Sequence, residues 1–112
     1  MSIPLITDEQ RQQLLANGAN PDPNRDPCPV VKLYTPDACS VWLLSEILPD
    51  WPDVAFGLCD FGQGNPVLGF VSLTELETVR GPFGFRVTRD PDFVADRPLS
   101  VYATEARYTG RI

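Results

Sequence analysis

Apolar and polar positions along the chain change their period several times, and each change marks an element. Thr7-Asp8-Glu9-Gln10 has the S/T-x-x-E/Q form of a capping box, with acids in the first turn where the helix dipole favours them. Leu14 and Leu15 then supply a narrow apolar stripe, and Asn17-Gly18 offers a left-handed stop. This predicts a largely solvated helix over about residues 8–17. Residues 19–29 hold four prolines and no apolar period, which predicts an extended, Pro-rich loop. Val30-Val31-Lys32-Leu33-Tyr34 reads as a strand ended by Thr35-Pro36-Asp37.

Periodicity alone leaves Ser40-Val41-Trp42-Leu43-Leu44-Ser45-Glu46 open between helix and strand. The run is short and is closed by Leu48-Pro49-Asp50-Trp51-Pro52-Asp53, which favours a strand turning through that loop into a second strand over 54–61. Gly62-Gln63-Gly64-Asn65-Pro66 marks a turn, followed by a strand over 67–71. Ser72, with Glu75 three residues on, repeats the cap signature and predicts a short helix to about Val79, stopped near Gly81-Pro82. Phe83, Phe85 and Val87 alternate with Gly84, Arg86 and Thr88, the period of a half-buried strand. Arg89-Asp90-Pro91-Asp92 is a turn. Leu99, Tyr102, Ala103 and Ala106 recur at helical spacing before Gly110, predicting an amphipathic helix over about 99–108.

The order of elements predicts an α+β fold in a single domain over residues 1–112. It comprises a small antiparallel sheet of about four strands, N- and C-terminal helices, and a short helix after the third or fourth strand. The helices are expected on one face of the sheet. No internal repeat and no low-complexity segment interrupts it.

Composition narrows the chemistry. Twelve prolines in 112 residues are about twice ordinary usage, which agrees with numerous connections and few helices. With 43% hydrophobic residues the chain is far from a disordered acidic tail. Histidine is absent, which removes the commonest general base and zinc ligand. Cys28, Cys39 and Cys59 are odd in number, widely spaced and form no C-x-x-C, so they read as buried, reduced thiols, and no metal or cofactor is expected. Residues 1–6 have no basic region followed by a signal-length apolar run, and no stretch approaches the roughly 18–20 apolar residues of a membrane span. A cytoplasmic protein without membrane attachment is the expectation.

Charge is unevenly placed within a net of −6. The first 79 residues carry three basic and eleven acidic side chains, the last 33 carry six and four. Between Leu33 and Val79 there is no lysine or arginine at all. Such a split fits an acidic face for a basic protein partner, with Glu46, Asp50, Asp53, Asp60, Glu75 and Glu77 as candidate contacts. A solvated surface that only aids solubility gives the same pattern. Trp51, between prolines and aspartates at a loop tip, is a candidate interface anchor, whereas Trp42, among aliphatics, reads as core. Arg86 and Arg89, flanking a strand end, are candidate phosphate contacts in an alternative nucleic-acid-associated role, which the overall acidity opposes. Direct nucleic-acid binding is therefore the weaker expectation.

Other motifs are weaker. Gly62-Gln63-Gly64-Asn65-Pro66 lacks the Lys-Ser/Thr of a phosphate loop. Asp90-Pro91-Asp92 with Asp96 lacks the glycine and terminal glutamate of a calcium loop and reads as an Asx turn. Asp50 and Asp53 could pair their carboxylates, but no nucleophile–base pair is visible. A small carboxylate- or metal-dependent enzyme is the weakest reading, and no catalytic residue is assigned.

Three blocks carry a family resemblance: Val31-Lys32-Leu33-Tyr34-Thr35-Pro36, Trp42-Leu43-Leu44-Ser45-Glu46, and the stretch from Phe56 through Leu76 with its Asp60-Phe61-Gly62-x-Gly64-x-Pro66-x-Leu68-Gly69 core. The chain resembles small domains of unknown function carried on conjugative plasmids, integrative elements and phages. Leu5–Gln10 and Pro98–Ala103 resemble the ends of those proteins. The resemblance implies a mobile-element accessory protein and brings no established site residues with it. By analogy with small acidic proteins of such elements, it implies binding to a host protein, such as a restriction or CRISPR defence complex.

Overall fold

The computed structural model describes residues 5–112; Met1–Pro4, on which the absence of a leader was partly read, lie outside the described residues. Helix α1 (Asp8–Ala19) starts in a complete capping box. The Thr7 Oγ1 accepts from the Gln10 N–H at 3.1 Å, and the Thr7 N–H donates to Gln10 Oε1 at 2.9 Å. The helix does not stop at Asn17-Gly18 as the sequence suggested. It runs on to an extended cap at Asn20. Both residues instead dock the helix on the sheet. A Cβ on Gly18 would lie 1.9 Å from the Ile47 carbonyl oxygen, so only glycine permits this approach. The Asn17 amide donates to the Ser45 carbonyl at 2.9 Å.

Five strands follow: β1 (Val31–Tyr34), β2 (Val41–Leu48), β3 (Trp51–Asp60), β4 (Val67–Ser72) and β5 (Thr88–Arg89). They form one antiparallel sheet in the order β4-β3-β2-β1-β5. The 40–46 segment is a strand, as its length argued. The β2–β3 connection is shorter than predicted, because Leu48 pairs with Trp51 and only Pro49 and Asp50 remain to turn the chain. Helix α2 (Leu73–Thr78) springs from the end of β4, where the Ser72 Oγ accepts from the Glu75 N–H at 3.2 Å. Helix α3 (Leu99–Thr109) ends at Gly110 in the left-handed region, φ 83°.

The helices do not share one face of the sheet. Leu14 of α1 and Leu73 and Leu76 of α2 pack with Val31, Leu33, Trp42, Leu44, Ile47, Ala55 and Cys59 on one side. On the other side Leu99, Ala103 and Ala106 of α3 pack with Leu43 and Leu58. The molecule is therefore three layers, helix–sheet–helix. The cause is visible in β2, whose Val41-Trp42-Leu43-Leu44 run is apolar without alternation, the pattern of a strand buried on both faces.

Two further expectations are corrected. Residues 83–88 are not a half-buried strand: only Thr88 and Arg89 pair with β1, while Phe83 and Phe85 are exposed and Val87 alone is buried. Cys59 is buried as expected, but Cys28 and Cys39 are exposed. The Pro-rich stretch is a packed loop with two Asx turns, the Asp22 N–H to Asn20 Oδ1 at 3.0 Å and the Asn24 N–H to Asp22 Oδ1 at 2.9 Å. It carries the chain round to the α3 layer, where the Leu99 N–H donates to the Pro27 carbonyl at 3.1 Å and Asp26 accepts from the Ser100 N–H at 3.1 Å.

Candidate interaction surfaces

The acidic residues of the middle segment do not form one face. Two of them are interior. Glu46 lies on the α3 side of β2 and receives the Arg25 guanidinium in a two-pronged pair, Nε to Oε2 and Nη2 to Oε1, both 3.0 Å. Glu46 accordingly holds Arg25 above its ordinary pKa, by hydrogen bond first and charge second. Asp60 is buried at the end of β3, where Oδ1 accepts from the Gly62 N–H at 2.8 Å and Oδ2 from the Ile112 N–H at 3.0 Å. Both carboxylates are occupied with holding the Pro-rich loop and the end of the chain. They are not available on a free surface, contrary to the expectation from charge spacing.

Asp53 is exposed but also engaged. It clamps the start of α2, accepting from the Ser72 hydroxyl at 2.6 Å, the Thr74 hydroxyl at 2.7 Å and the Thr74 N–H at 3.0 Å. Those donors, Ser72 foremost, hold its carboxyl below the usual carboxylate range, with a smaller contribution from the charge of Arg11. Asp50, Trp51, Glu75 and Glu77 remain exposed. Since Val54 pairs with Ser72, the first residues of β3 and the first turn of α2 lie at the same end of the sheet. The structure thus gathers Asp50, Trp51, Asp53 and Glu75 at the β2–β3 hairpin end, with Glu77 following on α2. Trp51 is 69% exposed there, and Trp42, in contrast, is in the core.

The opposite end of the sheet has a different character. Asp37, in the β1–β2 turn, points its carboxylate at the loop after α2. Its Oδ2 accepts from the Phe83 N–H at 2.7 Å and from the Phe85 N–H at 3.4 Å. The loop closes on itself through the Gly81 N–H to the Phe85 carbonyl at 3.0 Å and the Gly84 N–H to the Gly81 carbonyl at 2.9 Å, with Arg80 bridging Arg86. Gly84 has φ 85°, and a Cβ on Gly81 would strike the Asp37 carboxylate. Phe83 and Phe85 stand 82% and 57% exposed on this frame. Sequence reasoning missed the site by reading the Phe alternation as a core signal. The density of Gly81, Pro82 and Gly84 was the signal for a turn. Arg86 is on this loop and exposed, while Arg89 is half-buried in β5.

No cluster of three or more Cys, Asp or Glu side chains placed to hold a metal occurs among the described residues. Asp90 forms the Asx turn expected of it, accepting from the Asp92 N–H at 2.9 Å. A groove of about 510 Å³ runs between α1, the Pro-rich loop and Phe93-Val94-Ala95, with Cys28 in its wall. No helix among the described residues is long and apolar enough to cross a membrane.

Residues 5–112 match the family described as protein of unknown function DUF2958. The chain belongs to that family. No curated protein and no solved structure matches it. The assignment agrees with the resemblance as far as a domain of unknown function over nearly the whole chain.

Proposed function

We propose that this DUF2958 protein is a non-enzymatic interaction module that docks a basic protein through the β2–β3 hairpin end, with Trp51 as anchor and Asp50, Glu75 and Glu77 as the charged rim. The observation that carries this reading is the exposure of Trp51. A large indole 69% exposed at the tip of a paired strand is the residue type most enriched among binding hot spots, and it stands free to enter a partner's pocket. The carboxylates around it steer a basic partner and speed its approach. The partner class is a nucleic-acid-binding or defence complex, the setting is a cytoplasmic accessory protein of a mobile element, and genes beside its own are the simplest check of that setting.

The surface is tested with the immobilised full chain and host lysate, comparing the wild type with Trp51→Ala and with an Asp50→Asn/Glu75→Gln/Glu77→Gln variant. The expected result is capture of a basic protein that weakens as salt rises and is lost in both variants. Capture that is indifferent to salt and to all four substitutions would overturn the reading. Glu46, Asp53 and Asp60 are left intact, because their carboxylates hold the fold.

A further inference from the structure

The loop 80–86, at the end of the sheet opposite Trp51, presents two exposed phenylalanines as a candidate binding surface. The geometry points to single-stranded nucleic acid as its ligand, with Phe83 and Phe85 stacking on bases and Arg86 contacting phosphate. Three observations support this. First, Phe83 and Phe85 are exposed, while Val87 just beyond the loop is buried. Second, the loop is preorganised: the Asp37 carboxylate binds the amides of both phenylalanines, and two internal backbone hydrogen bonds close the turn. A backbone held in this way needs little further ordering when planar ligands stack on the rings it carries.

Third, arginines flank the rings in a chain that is acidic overall. Arg80 and Arg86 flank the two rings, and no acid lies between them. The Arg80 guanidinium is tied to the carbonyls of Glu77 and Val79 at 2.8 and 2.9 Å, so it is a fixed positive charge at the base of the loop. The Asp37 carboxylate accepts from the Phe83 and Phe85 amides behind the rings and offsets part of this positive charge. The net −6 of the chain acts against a polyanion at long range, but salt screens exposed charges beyond roughly 8 Å at physiological ionic strength. Two exposed rings flanked by arginine provide the stacking platform and cationic contact that single strands require, whereas bases in a duplex offer no free face.

The test is fluorescence anisotropy with the full chain and labelled oligo(dT), oligo(rU) and a mixed-sequence duplex of equal length, at low and moderate salt. The expected result is saturable binding of a single strand, tighter than the duplex. A Phe83→Ala/Phe85→Ala variant should weaken it by roughly ten-fold or more, and Arg86→Gln should flatten the salt dependence. Both sets of side chains are exposed, so unchanged melting of the variants is the control for folding. Three results would each overturn the proposal: no saturable binding, equal binding of duplex and single strand, or affinity unmoved by loss of both rings. Binding of the loop to a protein in place of oligonucleotides would also overturn it. Trp51→Ala and the hairpin-end carboxylate variant should leave oligonucleotide affinity unchanged, so failure here and failure at the hairpin end are read separately.

Discussion

At the scale of single residues, the same side-chain type does different work according to what reaches it. Asp50 is solvated, Asp53 caps a helix, Asp60 fastens the end of the chain and Asp37 shapes a loop. Asp53 has a lowered folded-state pKa, so its contribution to stability is complete above the ordinary carboxylate value of about 3.9 and is lost as pH falls through the lower folded value. Melting temperatures at pH 7 and pH 3 are therefore expected to fall further for the wild type than for Asp53→Asn, the variant starting lower at pH 7. An equal drop would show that the clamp does not carry the linkage. Cysteine accessibility gives a second measurement. Burial pushes the Cys59 thiol up, while Cys28 and Cys39 are exposed. Titration with a chromogenic disulfide reagent is expected to count two thiols in the native protein and a third only in denaturant.

Among elements, helix starts and stops were the most legible, because their signals are local. Thr7, Ser72 and Gly110 each sit where a cap was read. Asn17-Gly18 misled because glycine serves two purposes, ending a helix or letting it come close to something, and sequence does not separate them. The clash at Gly18 makes the sign of a substitution decisive. Gly→Ala inside a helix ordinarily stabilises by about 1 kcal/mol. Gly18→Ala is expected to destabilise instead, by about 1–3 kcal/mol, since its Cβ would meet the Ile47 carbonyl and the two backbones must part. Gly69→Ala in β4, with open space around the added atom, is the control and is expected to be nearly neutral. Urea denaturation of both variants decides it. The misreading of residues 83–88 has a related cause: a period of two appears whether or not anything covers the apolar side, and here Asp37, 46 and 48 residues away, holds those amides in a turn.

For the whole molecule, the order of β1 to β4 is implicit in the short connections, but the place of β5 beside β1 and the number of layers are not. The uninterrupted Val41-Trp42-Leu43-Leu44 run was the available sign that helices lie on both sides, and its meaning depends on α3 arriving from the far end of the chain. The placement of charge has the same character. Glu46 and Asp60 look like members of an acidic surface until Arg25 and Ile112, 21 and 52 residues away, are brought to them. Because β2 and β3 line both cores, the two layers cannot melt apart. Leu14→Ala on the α1 side and Leu58→Ala on the α3 side each remove a fully buried side chain and are expected to cost about 2–5 kcal/mol. That is a large share of the roughly 5–15 kcal/mol that holds a small domain together. Both variants should still unfold in one transition with an unchanged denaturant slope, and the far-UV signal and the fluorescence of buried Trp42 should move together. Separate transitions in Leu58→Ala would mean that α3 and its layer form an independent unit.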